Sequence, residues 1–154
     1  MRVTLIVMSS YVHVVMFALL AIIPATSGHG GGAPKSACVK MSPSHGEDVK
    51  AQSDSNPYTL KVDGHDISKG GTLKVCVTGR QFKGILLQMR AEGSETPVGT
   101  FNGTRGTLAN DTKLMTCTAD GDTVTHSKPT NKTSPTCFYW KAPDNEVPQK
   151  SHFV

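Results

Sequence analysis

TLKVCVT, residues 72–78, decides how the rest of the chain is read. Leu73, Val75 and Val77 fall on one side of this stretch, and Thr72, Lys74, Cys76 and Thr78 on the other. Period-two alternation marks a half-buried β-strand, because successive Cβ atoms point to opposite faces. The same pattern recurs outward from it. GILLQMRA (84–91) groups Ile85, Leu87 and Met89, and TCFYWKAP (136–143) groups Phe138 with Trp140. YTLKV (58–62), TPVGTF (96–101), KLMTCT (113–118), DTVTHS (122–127) and SHFV (151–154) are further runs, separated by Gly, Pro, Asn and Asp. Asp63-Gly64 and Lys69-Gly70-Gly71 read as turns. No window sustains a 3.6-residue period. Seven to eight short strands without helices predict an all-β fold, an antiparallel β-sandwich, with no internal repeat and no linker that divides it.

The N-terminus addresses the compartment. Arg2 precedes an apolar run that is densest over Val14–Ala25 and closes on the small residues Ala25, Thr26, Ser27 and Gly28. That is the pattern of a signal peptide over residues 1–28, cut near Ser27 or Gly28. Ser9, Ser10 and His13 interrupt the apolar core and Pro24 ends it, which argues against a membrane anchor. The expected product is a secreted, extracellular domain of residues 29–154, with no membrane span. Of 16 basic residues only Arg2 leaves with the leader, so 15 remain against 12 acidic ones, and the net charge falls from +4 to +3. These charges are dispersed, so nothing points to a nucleic-acid partner.

Four cysteines remain: Cys38, Cys76, Cys117 and Cys137. An even count in a secreted chain reads as two disulfides, and without a C-x-x-C pair neither a structural zinc site nor a thioredoxin-type motif is expected. Cys76 lies on the polar side of its strand, and Cys137 lies opposite Phe138 and Trp140 on its own. Both therefore point away from the core, which favours a Cys76–Cys137 staple on the outside of one sheet and leaves Cys38 with Cys117, tied to a central strand. Cysteine spacing alone allows three connectivities. Each bridge would contribute about 4 kcal/mol through the entropy of the unfolded chain. Asn102, Asn110 and Asn131 each begin an N-x-T sequon in a polar, turn-like stretch, which marks them as glycosylation sites.

The segments GAPKSACVKMSPSHG, NPYTLKV, QFKGILLQMR, VGTF, LMTC, VTHS and FYWKAP, in that order, resemble the successive landmarks of the reelin (reeler) domain family. The resemblance runs from about Gly32 to Val154. It implies an immunoglobulin-like sandwich, and it implies a disulfide between Cys38 of ACVKM and Cys117 of LMTC. It does not vouch for Cys76 and Cys137, which stand where most members carry ordinary strand residues. The family's final strand usually runs several residues beyond a motif like HFV, so the last strand here is expected to be short or truncated. Small secreted members resemble insect defence proteins. That likeness implies a non-enzymatic role in innate immunity, with antimicrobial binding to microbial polyanions such as lipopolysaccharide or lipoteichoic acid, and with haemocyte surfaces as a further partner. The alternative is an N-terminal accessory module of a larger ferric-chelate-reductase-like membrane protein, or of a matrix or adhesion protein.

No G-x-S-x-G, H-E-x-x-H or P-loop is present, and Asp54, Asp63, Asp66, Asp111, Asp120, Asp122 and Asp144 are scattered through turns. No catalytic residue and no cofactor are expected. GGAPKSACVKMSPSHG (31–46) gathers Cys38, Met41 and His45, side chains of a soft-metal site. The disulfide reading removes Cys38 from that set. Met41 then becomes a core-facing candidate, His45 a turn partner, and the glycines and prolines the marks of an extended, non-helical arm. His126 ends a strand, where it would satisfy backbone groups. His29 heads a flexible HGGG tail unless cleavage falls after Gly28, when its amine and imidazole together would chelate copper. Arg80, Lys83 and Arg90 cluster around the 84–91 strand. They are candidate ligands for an anion, with Gln88 and Arg90 read as solvating its outward face.

Overall fold

The alternation at 72–78 becomes a strand because its apolar side finds a partner layer: Leu73, Val75 and Val77 are all buried. The computed structural model describes residues 29–43, 55–64, 67–103 and 108–154. The leader expected over 1–28, and His45, Asp54 and Asp66, lie outside them. The described residues form eight strands: β1 Tyr58–Asp63, β2 Thr72–Gly79, β3 Leu86–Ala91, β4 Thr100–Phe101, β5 Thr112–Met115, β6 Thr123–His126, β7 Thr136–Lys141 and β8 Ser151–Phe153. They form two four-stranded antiparallel sheets, ordered β1-β2-β7-β4 and β5-β6-β3-β8.

The core is the apolar side of both sheets. Val75, Phe138 and Trp140 from the first meet Leu87, Met89 and Val124 from the second. The rings of Trp140 and Phe153 cross edge-to-face at 6.2 Å, so the short last strand reaches the first sheet's largest side chain. The indole N–H of Trp140 donates to the Val98 carbonyl at 2.8 Å, which satisfies the one polar atom of a buried ring.

Three expectations shift. TPVGTF (96–101) contributes only Thr100–Phe101 as strand. Pro97 has no N–H to donate, and Gly99 adopts φ +68° where a Cβ would lie 2.4 Å from the Trp140 ring. The arm at 31–46, expected to be non-helical, contains one helical turn, α1 Ala37–Lys40. Its prolines and glycines flank those four residues without interrupting them. Met41 closes the turn in the left-handed region at φ 53°, its N–H donating to the Ala37 carbonyl. It is half-buried and outside the core, contrary to the expected core-facing role.

Both disulfides are present. Cys76 and Cys137 are directly opposed on β2 and β7, with Cα atoms 4.0 Å apart. Cys38 in α1 is joined to Cys117. Cys117 follows β5, an edge strand, so the expected tie to a central strand is corrected to a tie to the β5–β6 turn. Asp122 holds that turn. Its carboxylate accepts from the backbone N–H groups of Cys117, Thr118 and Ala119 at 2.9, 2.7 and 2.7 Å, and from the Thr123 hydroxyl. Burial by itself raises the Asp122 pKa, but these donors outweigh it and leave the carboxyl below its ordinary value.

Candidate functional site

The sandwich has two outer faces, and the arm covers one of them. The Ala33 N–H donates to Thr125 Oγ1 at 2.9 Å, and Thr125 in turn donates to the Ile85 carbonyl. Gly32 adopts φ +125°, and a Cβ there would lie 2.8 Å from the His126 carbonyl oxygen, so only glycine lets the chain approach β6 this closely. Beyond it, the Cys38–Cys117 bridge holds α1 over β3.

That cover changes the reading of β3, where Leu87, Gln88, Met89 and Arg90 are all buried. Gln88 donates to Thr123 Oγ1 and Cys117 Sγ, and its Oε1 accepts from Arg90 Nε at 2.9 Å. The Arg90 guanidinium donates further to the carbonyls of Cys38 and Val39. Arg90 is therefore withdrawn from the expected anion cluster, and Gln88 and Arg90 do not solvate an outward face. Among the described residues no buried side-chain nitrogen or oxygen lacks a hydrogen-bond partner.

Arg80 and Lys83 remain exposed, on the loop between β2 and β3. The loop is anchored from below by Lys132. Its backbone pairs with Phe82, and its ammonium donates to the carbonyls of Lys83, Lys128 and Thr130 at 2.9, 3.1 and 3.1 Å. Burial lowers the pKa of this ammonium, and the Asp111 carboxylate partly offsets that. Lys132 is fully engaged by the protein, and the two cations above it are left facing solvent on a braced loop.

Among the described residues, the outer face of the first sheet has no such cover. Lys74 and Tyr139 are cross-strand neighbours there, next to the Cys76–Cys137 bridge. With Asn110, Asp111, Thr130 and Asn131 they line an open groove of about 450 Å³. The groove was not foreseen from the sequence. It is assembled from two strands and two loops far apart in the chain, and the only local sign was the position of Lys74 and Tyr139 on the polar side of their strands. Asn102, Asn110 and Asn131 are all exposed, as a glycosylated asparagine must be, and the last two border the groove.

His126 lies at the end of β6 and engages backbone on both ring nitrogens. Nδ1 is 3.3 Å from the Ile85 N–H and Nε2 is 2.8 Å from the His29 carbonyl. The HGGG start is thus docked, where a flexible tail was expected. No group of three His, Cys, Asp or Glu side chains among the described residues is placed to hold a metal ion. No helix among them is long and apolar enough to cross a membrane.

Comparison with known proteins adds a lineage to this geometry. Residues 36–154 match the family model described as Reeler domain. The chain is 35% identical over 105 residues to "Putative defense protein" of Bombyx mori, a match covering 66% of this chain and 58% of that one. It is 32% identical over 123 residues to "Putative ferric-chelate reductase 1" of Danio rerio, covering 77% of this chain and 20% of the relative. The chain thus spans less than two thirds of either relative's length. Among solved structures, the reeler domain of human F-spondin aligns with 64% of this chain and 78% of its own at 23% identity and a TM-score of 0.46.

Proposed function

The chain belongs to the reeler domain family, and from that premise we propose that it is a secreted, non-enzymatic protein of innate defence that binds anionic components of microbial surfaces. The observation that carries this reading is the Arg80–Lys83 loop. It presents a guanidinium and an ammonium to solvent on a backbone held by the paired Phe82 and Lys132. A braced loop loses little conformational freedom when it binds, and guanidinium suits phosphate oxygens geometrically. The relatives named as defence proteins support the role, and the exposed sequons support an extracellular site of action.

The test is a pull-down of the purified protein on Gram-negative, Gram-positive and fungal cells, repeated with R80E/K83E. The expected result is retention on bacterial cells that rises at low salt and falls with the double reversal. Retention unchanged by the reversal would remove the loop from the binding surface, and no retention on any cell would remove the function.

A second reading rests on the reductase relative, whose match covers more of this chain than the silkworm protein's does. In that reading the domain is an accessory module of a larger membrane protein. Sequencing the transcript beyond Val154 separates the two: haem-binding and membrane-spanning segments would support the accessory module, and a stop codon the defence protein.

A further inference from the structure

We propose that His29 and His126 form a three-nitrogen copper(II) site in the chain cut after Gly28. One of its three donors belongs to the main chain. Cleavage after Gly28 turns the His29 backbone nitrogen into a free amine. That amine and the Nδ1 of the same residue close a six-membered chelate ring around one ion. The third donor is already in place, since His126 Nε2 lies 2.8 Å from the His29 carbonyl oxygen. A residue's own nitrogen and carbonyl oxygen are within about 4 Å of each other, so the amine lies within about 7 Å of Nε2, and rotation about the His29 Cα–C bond in the cut chain can close that toward the about 4 Å between two nitrogens on one ion. The His29 side chain is exposed.

The surroundings of His126 suit a ligand. Its Nδ1 lies 3.3 Å from the Ile85 N–H and 3.4 Å from the Ile85 carbonyl oxygen. Without metal, Nδ1 accepts from the N–H and Nε2–H donates to His29. When Nε2 takes a metal and gives up its proton, Nδ1–H can donate to the Ile85 carbonyl. A backbone carbonyl behind the distal nitrogen is the usual orienting partner of a metal-bound histidine. The arm that carries His29 is fixed by the Gly32 approach to β6 and by the bond from Ala33 to Thr125. An all-nitrogen set of amine and imidazoles favours copper(II) over the other divalent first-row ions.

The experiment is secretion of the full chain from eukaryotic cells with its own leader, N-terminal sequencing, and titration of the metal-free product with copper(II), read by calorimetry and EPR. The expected result is a first residue of His29, one copper per chain, and a type-2 spectrum with splitting from three nitrogens. H126N keeps an acceptor for the Ile85 N–H but supplies no Nε2. It should lower copper affinity about 10–100-fold or more and reduce the splitting to that of fewer nitrogens. A chain with one alanine inserted before His29 should lose affinity as well, because its amine no longer chelates with the imidazole. A mature N-terminus other than His29 overturns the proposal. So does an H126N variant that is folded by circular dichroism and binds copper with unchanged affinity and splitting, which would reduce the site to the tail alone. Neither result bears on retention by microbial cells.

Discussion

Arg90 and Lys74 hold equivalent places in the alternation: each is an outward-pointing cation on a central strand. Arg90 is 6% exposed and bonded to Gln88, Cys38 and Val39, while Lys74 is half-buried on the wall of an open groove. The local sequence is not what separates them. The arm, drawn across β3 and β6 by Cys38–Cys117, turns one sheet's polar side into a second, hydrogen-bonded interior. Among the described residues, the first sheet's polar side carries the Cys76–Cys137 staple, which joins two neighbouring strands and draws no other segment across them.

The sharpest way to break this comparison is to remove each bridge in turn. Their sequence separations, 79 and 61 residues, are close enough that chain entropy gives both about 4 kcal/mol. C38S/C117S should cost more than that, because it also frees the cover, and amide exchange at Ala33 should become fast. C76S/C137S should leave that amide protected. Equal losses in urea denaturation, with equal protection, would mean that the arm stays down without its bridge.

Next in size is R90A, which strips donors from Gln88 Oε1 and from the Cys38 and Val39 carbonyls. It should lose about 3 kcal/mol by thermal melting, whereas K74A should stay within about 0.5 kcal/mol. A large loss at Lys74 would show that the open face is more structural than its exposure indicates. D122N should cost about 2 kcal/mol, since an amide oxygen accepts from fewer of the five N–H and O–H donors and its NH₂ opposes the rest. It should also change the acid limb. The folded carboxyl titrates below its ordinary value, so its contribution is complete above about pH 4 and is lost as pH falls through the lower folded value. Melting temperature plotted between about pH 5 and pH 2 should therefore fall less steeply in D122N than in the parent. The smallest expected effect on stability is that of R80E/K83E, within about 0.5 kcal/mol, which makes it a clean probe of binding.

What the sequence showed and what it hid follow from the same physics. Period two places Leu73, Val75, Val77, Phe138 and Trp140 in the core, because one buried face is enough to write that pattern. It also places Cys76 and Cys137 outward, where they meet. The pattern is silent about what lies beyond the outward face, so Gln88 and Arg90 looked solvated. α1 is too short for its periodicity to register. The groove joins Lys74 and Tyr139 to loops at 108–111 and 130–136, and no local window contains all of them.

The Cys38–Cys117 connection also sets an order of events. During synthesis Cys38 emerges first, Cys76 next, and its structural partner only 79 residues after it. In an oxidising compartment the earliest thiol available to Cys38 is thus the wrong one. β8, which pairs with β3, is made later than either cysteine of the bridge. The cover is translated before β3 and β6, the strands on which it seats. Oxidative folding therefore favours exchange of early, mispaired thiols over simple oxidation in sequence, and a catalyst of thiol–disulfide exchange should speed formation of the native pairing.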